Sequence, residues 1–99
     1  MHLDKYLVRS ERFAWQVIED EAVVLDREEE EMLRLNPIAT EIWQALDGSR
    51  SIVELIDQIH QSFDVDRKTA ENDVLRFVKE LVNREMVEEV PTAASEPRA

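Results

Sequence analysis

"RLNPIATEIWQALDGSRSIVELIDQIHQSF", residues 34–63, decides the fold, because within these 30 positions two separate helical patterns begin and end. Asn36 carries a short side-chain oxygen suited to the amides of a helix start, and Pro37 fits the first helical position, where no amide is needed. Ile38, Ala39, Ile42, Trp43 and Leu46 then fall on one face. Gly48, the only glycine of the chain, is expected to adopt the left-handed conformation that ends this helix. Ser51 and Glu54 form a capping box: the hydroxyl accepts from the Glu54 amide, and the carboxylate reaches back to the Ser51 amide. The second helix buries Ile52, Leu55, Ile56, Ile59 and Phe63, and stops at "DVD", where Asp64 or Asp66 caps a third helix.

That third helix runs from about Arg67 to Arg84. Its apolar residues are Ala70, Val74, Leu75, Phe77, Val78, Leu81 and Val82, and they spread over roughly 160° of a helical wheel, more than the roughly 100° a surface helix needs. With Val74, Phe77 and Leu81 assigned to the core, Leu75, Val78 and Val82 are left as one edge, bordered by Arg76 and Lys79. That edge is expected to form one wall of a groove. Met86 to Val90 reads as a short return strand, and "PTAASEPRA" at 91–99 as a disordered tail.

Upstream of residue 34 the period is two. Phe13 to Ile18, Ala22 to Asp26 and Met32 to Asn36 are short, rich in large or β-branched apolar residues, and separated by charged breaks, which predicts an antiparallel meander. In the third candidate strand Leu33 and Leu35 point one way and Met32 and Arg34 the other. Residues 3–9 either add a fourth strand or pack across the sheet; the sequence leaves both open. The expected organisation is an N-terminal arm at 1–12, one α+β domain at 13–90 with a three-stranded meander followed by three helices, and the tail.

Ninety-nine residues bury one modest core and leave little room for an enclosed active site. The net charge is −11, which repels phosphate backbones and anionic membranes, so neither nucleic acid nor membrane is expected as partner. There is no cysteine, hence no thiolate metal site and no thiol nucleophile. No signal-peptide core or membrane-length apolar run is apparent, which makes the cytosol the expected compartment.

Candidates for chemistry are few. His2 and His60 read as solvated or structural, Asp64 and Asp66 as helix caps without the glycine turn and bidentate glutamate of a calcium loop, and Glu28 to Glu31 as a solvated hairpin loop. Trp15 and Trp43 read as packing residues rather than a ligand platform. No catalytic, cofactor or metal site is expected. What remains is the third strand, Met32 to Leu35: as an edge it offers unpaired amides and carbonyls to which an extended peptide can add. Proline at Leu33 or Leu35 is expected to block that addition.

Strands leading into "LNPIATEIWQALDG", then "SIVELIDQIHQSFDVD" and "AENDVLRFVKELVNREMVE", together resemble the PqqD family over about residues 13–89. The resemblance implies a winged-helix-like fold and a non-catalytic peptide chaperone. Such proteins bind the leader of a ribosomally made precursor peptide at the third strand, against the third helix, and present it to a radical S-adenosylmethionine maturase of pyrroloquinoline quinone synthesis or a related pathway. Carried over, the resemblance implicates Met32, Leu33, Arg34 and Leu35 on the strand and Leu75, Arg76 and Lys79 on the helix, with the two cations favouring an acidic leader. Two other readings compete. In a DNA-binding winged helix, residues 67–84 with five basic and three acidic side chains would be the recognition element, but the remaining chain then carries −13. In an interaction module the edge strand pairs with a larger protein or with a second copy, giving a monomer or weak homodimer.

Overall fold

The computed structural model describes residues 3–90. The expectation for 91–99 and the reading of His2 lie outside the described residues. The elements are β1 (Tyr6–Arg9), β2 (Phe13–Ile18), β3 (Glu21–Asp26), β4 (Met32–Arg34), α1 (Pro37–Ala45), β5 (Asp47–Ser51), α2 (Ile52–Ser62), α3 (Arg67–Asn83) and β6 (Val87–Val90). They form two antiparallel sheets, β2-β3-β4 and β5-β1-β6, with the three helices packed between and beside them. The fold is α+β and winged-helix-like, with the expected meander leading into three helices.

The helix signals act as read. The Asn36 side chain accepts from the Ala39 amide at 2.8 Å. Both halves of the Ser51/Glu54 box are present, at 3.3 Å and 2.7 Å. Asp66, rather than Asp64, caps α3 by accepting from the Thr69 amide at 2.7 Å, which holds its carboxyl below the usual range. The tight β2–β3 turn has positive φ at both central residues, Glu19 and Asp20, the backbone of a primed two-residue hairpin whose twist matches its strands.

Two expectations are corrected, for Gly48 and Val78, and one open alternative, for residues 6–9, is decided. Gly48 does have positive φ, but it is not the helix stop: α1 ends at Ala45, and Gly48 lies within β5. The stop is tertiary. The Arg9 guanidinium donates to the Trp43 and Gln44 carbonyls at 2.7 Å and 2.8 Å, so a cation from β1 satisfies the orphan carbonyls at the helix C-terminus. Residues 6–9 are a strand, but they join β5 and β6 in a second sheet that local patterning did not indicate. Val78 is not a spare edge residue; it is fully buried, at 0% exposure.

The core gathers Ala22, Val24 and Leu35 from the meander with Ile42, Trp43 and Leu46, the inner face of α2, and Ala70, Val74, Val78 and Leu81 of α3. Trp43 is fully enclosed, and its indole Nε1 finds no partner among the described residues. The orphan costs about 1–3 kcal/mol, whereas burying an indole of ~150–250 Å² at ~25 cal/mol per Å² returns about 4–6 kcal/mol, so burial wins. Trp15 meets Trp43 edge-on at 6.4 Å but remains 37% exposed, with Arg9 stacked on its ring at 4.7 Å.

Candidate functional site

β4 is three residues long and is the edge of its sheet. Hydrogen bonds run from the Leu35 amide to the Ala22 carbonyl and from the Asp26 amide to the Glu31 carbonyl, each 2.8 Å. Antiparallel pairs alternate between bonded and non-bonded, so Val24/Leu33 is the bonded pair between them. The amides and carbonyls of Met32 and Arg34 therefore face away from β3, along the open edge. Expecting a proline at Leu33 or Leu35 to remove an edge amide misplaced the parity: those two amides belong to the β3 ladder. The side chains follow the expected alternation, with Leu35 buried, Leu33 half-buried against the core, Met32 68% exposed and Arg34 exposed in a surface pair with Glu21.

Beside that edge runs α3. A recess of about 190 Å³ has an apolar floor of Phe13, Val24, Leu33 and Met86 and a rim of Asp26, Glu31 and Arg84. A second, of about 220 Å³, lies among Asn36, Ile38, Ala39, Ile42 and Phe77, rimmed by Asp73, Arg76 and Glu80. Arg84 shares the first recess with Glu31 and Leu33, and Phe77 shares the second with Asn36, just past the end of β4, so along the pair of recesses helix and strand run in opposite directions. Seven helical residues, as from Phe77 to Arg84, or three strand residues, as from Leu33 to Asn36, both span about 10 Å. A dry apolar cavity of ~150 Å³ holds a benzene ring, so each recess has room for one large side chain.

The rim charges are mostly tied. Arg76 pairs with Asp73 at 2.7 Å and Arg84 with Glu80 at 3.3 Å. Arg12 grips Asp26 with two hydrogen bonds of 2.8 Å, and this, helped by the Glu28 and Glu29 amides, lowers the Asp26 carboxyl to about 2.

Of the helix residues implicated from sequence, Arg76 lines the groove. Leu75 is half-buried against the core, and Lys79 is exposed; neither lines either recess. Phe77, Asp73, Glu80 and Arg84 were missed. On a wheel these four lie roughly 85° to one side of the core stripe, and Leu75 and Val82 roughly 95° to the other. The over-wide apolar arc has two flanks, and packing of α3 on α2 turns the Phe77 flank towards α1 and the residue that follows β4. Among the described residues no cluster of His, Asp or Glu is placed to hold a metal ion, and no helix is long and apolar enough to cross a membrane. His60 is exposed, its Nδ1–H donating to the Val65 carbonyl at 2.9 Å.

A family model described as coenzyme PQQ synthesis protein D (PqqD) matches residues 21–87, from the start of β3 to the start of β6. The chain belongs to the PqqD family. A relative in Rhodopseudomonas palustris (strain BisB5), described as a PqqA binding protein, is 32% identical over 65 residues. That match takes in 66% of this chain and 64% of the relative, so the chain spans a little under two thirds of the relative's length. Among solved structures, TbiB1 in complex with the TbiA(beta) leader peptide superposes with a TM-score of 0.73 at 30% identity, covering 82% of this chain and 94% of that one. A lasso peptide synthetase B1 complexed with its leader peptide gives the same TM-score, 0.73, at 23% identity over 83% and 96% of the two chains, a likeness of fold.

Proposed function

We propose that this PqqD-family protein binds the leader of a ribosomally made precursor peptide as an added strand on β4, and presents it to a radical S-adenosylmethionine maturase of pyrroloquinoline quinone synthesis or a related pathway. Its role is that of a non-catalytic accessory, acting in the cytosol as a monomer or weak homodimer. The observation that carries the reading is the outward amides and carbonyls of Met32 and Arg34 beside two recesses, each sized for a side chain. TbiB1 and the PqqA binding protein, both peptide binders by description, support it.

The energetics require both features. Four main-chain hydrogen bonds at about 0.5–1.5 kcal/mol each give about 2–6 kcal/mol, and association plus ordering of a free peptide costs at least as much. Two buried anchors at about 1.5–3 kcal/mol each supply the surplus. Leu33 and the facing Phe77 and Arg76, which line the recesses, are thus the side chains that decide affinity, and Met32 and Arg34 contribute their backbone.

The test is a backbone amide NMR titration with the leader peptide encoded nearest the gene. Shifts are expected on Met32 to Asn36 and on Asp73, Phe77, Glu80 and Arg84. Saturable binding with shifts confined to β2, β6 or α2 would refute strand addition at β4.

A further inference from the structure

The charge of the groove is the opposite of what the two cations on the third helix suggested. Lys79 stands outside it, and both lining cations are already engaged, Arg76 by Asp73 and Arg84 by Glu80. Arg12, next to the first recess, is taken by Asp26; Glu28 and Glu29 reach the same guanidinium only at 3.8 Å and 3.9 Å. Glu31, which lines the first recess, and its neighbour Glu30 form no ion pair among the described residues. The start of the groove therefore combines an apolar floor with one lining carboxylate, Glu31, that no ion pair holds among the described residues.

Register makes the consequence specific. Side chains alternate along a strand, so Glu31 projects to the same face as Leu33, towards the recess and not towards the Met32 side. In an added strand, the residue seated over Leu33 sends its side chain into the recess, and the one that meets Glu31 is two positions away on that same face. The geometry points to a peptide with a large apolar or aromatic anchor and a Lys or Arg two residues from it, on the side of the β3–β4 loop. This deepens the strand-addition reading and rests on it. Glu31 is then a specificity-determining residue, and acidic leaders are disfavoured.

The test uses the full chain, immobilised, and a synthetic library of 11-residue peptides with a fixed central Tyr and randomised flanks. A solvated ion pair is weak, so Lys and Arg should be enriched about 1.4- to fivefold at one of the positions two from the Tyr, above the adjacent positions. A protein of charge −11 attracts any cationic peptide, and position separates the two effects. Glu31→Lys should reverse the preference to Asp or Glu at that position, while a circular dichroism spectrum checks that the variant is folded. Equal enrichment of cations at all positions, or an unchanged profile in Glu31→Lys, overturns the inference and leaves strand addition standing if the selected peptides still shift Met32 and Arg34. Selected peptides that leave those two amides unshifted, or no retained peptide at all, overturn both.

Discussion

Thr40 sits on α1, 3% exposed, and its hydroxyl splices the helix into the sheet beside the candidate groove. The Leu35 amide bonds directly to the Ala22 carbonyl, but the return bond of that pair is replaced: Oγ1 of Thr40 accepts from the Ala22 amide at 2.8 Å and donates to the Leu35 carbonyl at 3.2 Å. Thr40→Val keeps the volume and removes the bridge, leaving a buried amide and a buried carbonyl without partners. Each orphan costs about 1–3 kcal/mol, and the extra methyl returns about 0.8 kcal/mol, so a loss of about 1–5 kcal/mol is expected. For a domain whose whole stability is about 5–15 kcal/mol, that is a large share. In urea unfolding, with m of about 1–3 kcal/mol per M, the midpoint should fall by about 1–2 M at unchanged slope, and leader affinity should drop with it as the end of β4 frays. Thr40→Ser keeps the hydroxyl and should lose far less. Equal losses in the Val and Ser variants, or a Val variant as stable as the parent, would refute the bridge as the source of the effect.

Trp43→Ala should destabilise by about 3–5 kcal/mol as a core truncation, read from thermal or urea unfolding; a fully stable variant would contradict its enclosure. Glu85 follows the C-cap of α3 with φ of 57°, and the Met86 amide to Leu81 carbonyl and Glu85 amide to Val82 carbonyl bonds, at 2.9 Å and 3.0 Å, complete a Schellman motif without its usual glycine. Glu85→Gly should therefore stabilise by about 0.5–1 kcal/mol, visible as a raised urea midpoint. Asp26 titrates at about 2 in the fold against 3.8 ordinarily, chiefly through its hydrogen bond from Arg12. The unfolded chain takes up that proton first as pH falls, so the stabilisation is complete above pH 3.8 and fades towards pH 2. Asp26→Asn should flatten that segment of a stability-versus-pH curve measured by urea midpoints.

The sequence by itself determined the local elements, because their causes are local. A capping hydroxyl three residues before its carboxylate, an asparagine before a proline, and the alternation of Leu33 and Leu35 with Met32 and Arg34 all act within a turn or a strand. The meander, the three helices and the edge strand were legible on those terms, and the order of capped helices carried the family resemblance. What the tertiary structure decided involves partners distant in sequence. Arg9 ends α1 from more than thirty residues away, Thr40 completes a ladder between β3 and β4, and residues 6–9 find β5 and β6 in a second sheet. The site shows the same division. The chain carried too much apolar surface on its last helix for a core alone, but Leu75 and Phe77 are equally good flanks of that stripe in one dimension. Only the rotation of α3, set by Val74 and Val78 burying against the other elements, turns Phe77 and Glu80 towards α1 and Arg84 towards β4, and leaves Lys79 in solvent.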